Sequence, residues 1–164
     1  MTETEKILQE EFELLRIDLI KEHDRLGMRA SGKTAESLEV ESGAEFGRLI
    51  GDETWGALQF GRSPSSGGGN GDLIDAIKQW IKDKGIVSDI KNDNDNSTLA
   101  FLITRKIHRE GWKRDSARNP IKGINVVTNV VTPKRMQSII DRIGAELTLT
   151  FVSTIQKELE TISL

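Results

Sequence analysis

The apolar residues near the start of the chain recur every three, four or seven positions: Leu8, Phe12, Leu15, Leu19 and Leu26. That spacing draws a single stripe along a helix of about five turns. The other faces are charged, with eight acids against four bases among residues 1–26. A helix of this kind is stable only when its stripe is covered, so the rest of the chain must supply a second layer. His23 lies on the stripe, four residues after Leu19. No second histidine or carboxylate cluster accompanies it, so it reads as an edge-of-core histidine rather than a metal ligand.

The pattern changes after the first helix. Leu38 and Val40 alternate with Glu39 and Glu41, Ser42-Gly43 offers a turn, and Phe46 to Ile50 resumes an extended pattern, which predicts a β-hairpin. Residues 55–62, Trp-Gly-Ala-Leu-Gln-Phe-Gly-Arg, fit either a third strand or a short helical turn. Helical spacing returns with Leu73, Ile74, Ile77, Trp80 and Ile81, where Asp72 serves as N-cap and Gly85 as the left-handed C-terminal residue. The next helix takes Asn96 or Ser97 as cap, Leu99, Leu102, Ile103 and Ile107 as inner face, and Gly111 as stop. Thr132-Pro133 starts a last helix, because proline at the first helical position loses no hydrogen bond. Met136, Ile139, Ile140, Ile143, Leu147, Phe151 and Ile155 then keep helical spacing. Residues 147–160 also allow a strand, since Leu147, Leu149 and Phe151 alternate within a Thr-rich stretch. The β-branched run from Ile124 to Thr132 is a candidate strand to pair with the hairpin. The expected architecture is a single α+β domain over residues 1–164. It has an N-terminal amphipathic helix, a small antiparallel sheet (hairpin or meander), and two or three further helices including a C-terminal one. Composition places a flexible Ser/Gly-rich loop at 63–71 and a solvated polar loop at 91–96.

Composition narrows the classes of function. Of 164 residues, 36% are hydrophobic and 30% charged, which gives a lean core suited to a small domain or to a subunit that buries itself against neighbours. The chain has no cysteine, which excludes a disulfide scaffold, a thiolate metal site and a cysteine nucleophile. No apolar run approaches the roughly 18–20 residues of a membrane span, and the polar, acidic start is unlike a signal or transit peptide. Two isolated histidines and no tyrosine leave little inventory for acid–base or nucleophilic catalysis. No catalytic, cofactor-binding or metal-binding residues are therefore assigned, and no cofactor is expected.

One motif argues the other way. Gly27-Met28-Arg29-Ala30-Ser31-Gly32-Lys33-Thr34 satisfies G-x-x-x-x-G-K-[ST] letter for letter. That motif works because a buried strand delivers the loop and a helix leaves it, so that backbone N–H groups wrap the phosphates. Here an acidic amphipathic helix precedes Gly27, and residues 35–41 alternate like a strand with three carboxylates. A P-loop nucleotide hydrolase is therefore disfavoured.

Charge is distributed unevenly. Residues 104–122 hold Arg105, Lys106, Arg109, Lys113, Arg114, Arg118 and Lys122 against Glu110 and Asp115, a local balance of +5 in a chain of net −3. Arg105, Arg109 and Trp112 are spaced to share one face at the helix end. Cations there complement the helix dipole, so a solvated helix end is the simplest reading. The patch (Arg105, Lys106, Arg109, Lys113, Arg114, Arg118) also suits an acidic neighbour, such as the N-terminal helix of another copy. It suits as well a sequence-independent contact with the phosphates of genomic DNA.

The order of features carries a resemblance. Residues 29–40, Arg-Ala-Ser-Gly-Lys-Thr-Ala-Glu-Ser-Leu-Glu-Val, resemble the glycine turn and Ser-Leu strand that open the tail-completion, or head–tail joining (neck), proteins of tailed bacteriophages. Residues 55–64, from Trp55 through Phe60-Gly61-Arg62-Ser63-Pro64, are similar to the aromatic and Phe-Gly-x-x-Pro segment of that family, with Gln59 where relatives carry Glu. Residues 75–86 and 99–111 resemble the two helices that follow. The likeness covers residues 5–112 most closely and the C-terminal third loosely. It implies a non-enzymatic virion subunit, assembled in the host cytoplasm, in a ring at the neck between the portal-bound connector and the tail. Its partners would be copies of itself and the neighbouring connector, portal and tail proteins, with no membrane. Trp55, Phe60, Arg62 and Pro64 are the candidate interface residues, core placement being favoured for Trp55 and Phe60. The rival from another class is a small DNA-binding or regulatory protein that uses the helices at 72–84 and 97–110 as a helix-turn-helix. The polar run between them is longer than the usual turn of three or four residues.

Overall fold

A computed structural model of the chain describes residues 2–65, 72–90, 93, 96–112 and 126–162. The architecture is α+β, as the patterns require. The elements are α1 (Glu3–Arg25), α2 (Lys33–Glu36), β1 (Glu39–Ser42), β2 (Gly47–Ile50), α3 (Glu53–Phe60), α4 (Asp72–Asp83), α5 (Ser97–Glu110), α6 (Val126–Val130) and α7 (Pro133–Ile162). They fall into two compact units. One comprises Met1–Glu22, Leu38–Ile50 and Val127–Leu164, and the other His23–Ser37 and Gly51–Val126.

The first unit begins with a capping box. Thr2 Oγ1 accepts from the Glu5 backbone N–H at 3.1 Å, while the Glu5 carboxylate accepts from the Thr2 N–H at 3.3 Å. The expected stripe is buried at Leu8, Leu15 and Leu19, joined by Ile7. β1 and β2 pair antiparallel in the register Glu39↔Ile50 to Ser42↔Gly47. Val40, Ser42, Gly47 and Leu49 alternate onto the more covered face. A two-stranded sheet is marginal alone. Here Ser42 Oγ donates to Gln9 Oε1 on α1 at 2.6 Å. The Phe12 ring sits so close over Gly47 that a Cβ there would lie 2.5 Å from it. α7 is tied to α1 by Arg142, which reaches Glu10 at 2.6 Å and Glu11 at 2.7 Å, and by Arg135 to Glu11 at 3.4 Å.

Several expectations are corrected here. The run at 126–130 forms α6 rather than a strand, and the sheet among the described residues has only β1 and β2. Val126 is fully buried, and that burial outweighs the weak helix propensity of valine. Residues 147–160 are helical throughout. Their hydroxyls return to the helix's own carbonyls, Thr148 to Gly144 and Thr154 to Thr150, both at 2.8 Å, so the Thr-rich stretch needs no sheet partner. Of the apolar series from Met136 to Ile155, only Ile139 is fully buried.

In the second unit, α1 closes with paired bonds, Gly27 N–H to Asp24 O at 2.8 Å and Met28 N–H to His23 O at 3.1 Å. Gly85 closes α4 in the same way through Lys82 and Ile81. Residues 53–60 are a helix, not a strand, because the Asp52 carboxylate caps the Thr54 N–H at 3.0 Å. Ser37 belongs to the C-terminal end of a helical turn rather than to an extended run from Thr34. Asp72 is the first residue of α4 rather than the residue before it. α4 and α5 pack together, with Ile81 and Ala100 fully buried. The inner face of α5 is rotated from the expected one: Ala100 and Thr104 are buried while Leu102 is exposed. Asn96 occupies the expected N-cap position, but its side chain makes no capping hydrogen bond. The Asp93 carboxylate accepts from the Thr98 and Leu99 N–H groups at 2.8 and 2.9 Å, and Asp93 is itself buried. The polar run thus places one residue inside; residues 91, 92, 94 and 95 lie outside the described residues.

Candidate interaction surfaces

The glycine-lysine turn is built by local constraints. Gly27 and Gly32 both adopt positive φ, at 64° and 95°. Between them Arg29 donates to Asp24 at 2.8 Å. That hydrogen bond, opposed by burial and helped by His23, holds the Asp24 carboxyl below the usual carboxylate range. Past Gly32 the chain makes the single helical turn α2. The Thr34 carbonyl then accepts from both Ser37 Oγ and Trp55 Nε1, each at 2.8 Å. Trp55 is buried at 8% exposure, with its ring 5.5 Å from that of His23, which is also buried. A helix therefore enters the turn where a P-loop requires a strand. The Lys33 N–H faces Ser31 Oγ at 3.4 Å, and the Glu36 carboxylate stands 3.2 Å from where a Cβ on Gly32 would lie. A cleft of about 510 Å³ beside this turn is lined by Lys33, Asp52, Gln79 and Asp83 among others. No group of three His, Asp or Glu side chains suited to a metal is present among the described residues.

The second cleft of this unit is apolar. Leu58 of α3, Leu73, Ile77 and Trp80 of α4, and Ile103 and Ile107 of α5 line a groove of about 550 Å³. Met28, Thr54, Leu58 and Trp80 line both clefts. The α4 positions 73, 77 and 80 fall at helical spacing, so one face of that helix supplies a wall. Trp112 also lines the groove. It is held there by a two-residue bridge in which the Arg62 N–H donates to Trp112 O and the Trp112 N–H to Arg62 O, both at 2.7 Å. Ser65 N–H adds a bond to His108 O at 2.9 Å. Gly111 permits this approach: a Cβ on it would overlap the Arg62 carbonyl and lie 3.0 Å from Pro64. The charged residues lining this groove are Arg62, Lys84 and Lys106, all cations.

The proposed interface residues separate in space and in exposure. Trp55 is a core residue. Phe60 is not the core residue that its pattern suggests: it is 79% exposed, because the turn of α3 that buries Trp55 carries Phe60 to the opposite side. Arg62 and Pro64 are exposed and fixed against the end of α5. Arg105, Lys106 and Arg109 are exposed, and Arg109 pairs with Glu110. Lys113, Arg114 and Arg118 lie outside the described residues, as do positions 66–71. Trp112 does not continue the α5 face, since Gly111 ends the helix at φ 72°. The acidic face of α1 is partly engaged within its own chain, through the bonds of Glu10 and Glu11 to Arg142.

The sequence does not announce a further exposed apolar surface on α7. From Leu147 to Thr161 every residue of α7 is exposed, including Leu149, Phe151, Val152 and Ile155. Periodicity shows which residues share a face but not whether the chain covers it. No helix among the described residues is long and apolar enough to cross a membrane. α4 and α5 are separated by residues 84–96, which is too long for a helix-turn-helix turn. Comparison with protein-family models, curated proteins and solved structures returns no match.

Proposed function

We propose that the chain is a non-enzymatic structural subunit of a phage virion, forming a ring at the neck or tail top that joins the portal-connector to the tail. The observation that carries this reading is the C-terminal half of α7, about four turns whose large apolar side chains face solvent. Monomeric proteins rarely leave a contiguous apolar surface of that extent. A subunit whose neighbours complete its core has reason to. The lean composition and the resemblance of residues 5–112 to tail-completion proteins support the same reading. The mechanism is geometric: unlike faces of one copy meet unlike faces of the next, and the rotation closes. Exposed Phe60, Arg62 and Pro64 are available to an adjacent ring.

The test is mass by light scattering, combined with negative-stain images of the purified chain and of particles carrying a labelled copy. Closed rings in solution and label at the neck are expected. A chain that stays monomeric at every concentration and labels no particle overturns the reading. A salt-sensitive mobility shift of that monomer with random DNA would favour the regulatory alternative instead.

A further inference from the structure

We propose that the C-terminal half of α7 of one copy seats in the apolar groove between α3, α4 and α5 of the next copy. This contact deepens the ring reading and rests on it. The argument starts from the geometry of α7. At about 100° per residue, Ile140, Gly144, Leu147, Phe151 and Ile155 fall within an arc of roughly 80°, centred about 120° away from Ile139. Ile139 is buried by its own chain, whereas Ile140, Leu147, Phe151 and Ile155 are exposed at 56, 53, 66 and 43%. α7 therefore has two apolar faces, and its own chain covers one of them. Gly144 lies on the uncovered face, where a Cβ would meet nothing within 4 Å. Mid-helix glycine lowers helix stability and no contact among the described residues requires it here; on a docking face it lets a neighbour's backbone approach closely.

The groove is the matching receptor. Its walls are aliphatic and aromatic, and it is open to solvent along Trp80. Amphipathic helices enter such grooves through anchors at one-turn spacing, and Leu147, Phe151 and Ile155 stand at successive intervals of four. Charge sets the pairing. The rim carries Arg62, Lys84 and Lys106 with no acid among the lining residues, and Lys84 is fixed by donating to Gly27 O at 2.6 Å. Residues 144–161 of α7 carry Glu146, Glu158 and Glu160 against Lys157. Complementary potentials of this kind select orientation and partner more than they add affinity. Donor and receptor are different surfaces, so each copy has one of each free to continue the chain of contacts, and a closing rotation gives a ring.

The experiment uses two full-length variants whose changes lie on exposed side chains, Phe151→Glu and the double change Arg62→Glu with Lys106→Glu. Light scattering and sedimentation over a concentration series should show each variant alone dissociating at a concentration at least 100-fold above wild type. Mixed in equal amounts, the two should form a 1:1 dimer and nothing larger, because one supplies the only intact groove and the other the only intact helix. Wild-type oligomers that persist in the groove variant, or a mixture without the dimer, would sink the contact while leaving the ring reading standing. A wild-type chain that is monomeric throughout overturns both.

Discussion

Gly111 and Gly85 form a matched pair for testing how the Arg62–Trp112 bridge is held. Both end helices at positive φ, 72° and 64°. A Cβ on Gly85 would meet nothing within 4 Å, whereas one on Gly111 would overlap the Arg62 carbonyl. Gly85→Ala therefore incurs only the left-handed backbone term, about 1–2 kcal/mol. Gly111→Ala incurs a larger backbone term, about 1–3 kcal/mol, because φ 72° with ψ −170° is a region that only glycine enters freely. It must also open the bridge, whose two hydrogen bonds contribute about 0.5–1.5 kcal/mol each. The expected loss for Gly111→Ala is about 2–6 kcal/mol, clearly beyond its control. At roughly 2–4 °C per kcal/mol for a chain of this size, the two variants should separate by several degrees in thermal unfolding. Amide hydrogen exchange locates the effect, since protection should fall at Arg62 and Trp112 in Gly111→Ala and not in Gly85→Ala. Equal destabilisation of the two variants, or unchanged protection at those amides, would refute the close approach of segment 61–65 to the end of α5.

Two other expectations concern the capping carboxylate and the hairpin. Burial disfavours the Asp93 carboxylate, but the Thr98 and Leu99 N–H groups and the Ser88 and Thr98 hydroxyls outweigh it and hold its pKa below the ordinary value. Its stabilising contribution is then complete above the unfolded carboxylate range near pH ~4 and is lost as pH falls through the lower folded value. Asp93→Asn should be less stable than wild type by a constant margin from pH 5 to 8 in urea unfolding, and that margin should shrink on further acidification; an unchanged margin at pH 2.5 would contradict the capping role. Gly47→Ala should destabilise by about 1–3 kcal/mol, because its Cβ would press on the Phe12 ring at 2.5 Å. The double variant with Phe12→Leu should recover part of that loss, and strict additivity of the two changes in denaturant titrations would show that they do not touch.

Local chemistry decided which parts of this fold were legible in the sequence. The stripe of α1, the alternation of the hairpin, Gly85, Gly111 and Thr132-Pro133 are signals confined to a few neighbouring residues, and each lies where the sequence places it. Residues 55–62 were undecidable by period alone. Asp52 breaks the tie, because an N-cap preceding Glu53 starts a helix. The N-cap position of α5, Asn96, was legible, but the side chain that does the capping escaped for a different reason. Asp93 reaches forward five and six residues, beyond any local capping pattern. It does so with Asn96 in the left-handed conformation at φ 59° and the Asn96 side chain accepting from the Ser88 N–H at 3.0 Å. Such a cap depends on a loop conformation that several side chains fix together, so no single residue type announces it.

The candidate surfaces follow the same division. A sequence pattern establishes that Ile139 and Ile140 both belong to an apolar helix, but they sit about 100° apart around its axis. Only the packing of the first unit separates the buried one from the exposed one. The groove is harder still to read, because its walls come from three helices and a bridge at Arg62 and Trp112, fifty positions apart in sequence. Its cationic lining includes Arg62, which the sequence offers as an interface residue, and Lys106, which belongs to the basic stretch. The structure places both on one opening. Of the basic stretch at 104–122, Lys106 is thereby given a location, while on the acidic α1 the carboxylates of Glu10 and Glu11 are already engaged by Arg142.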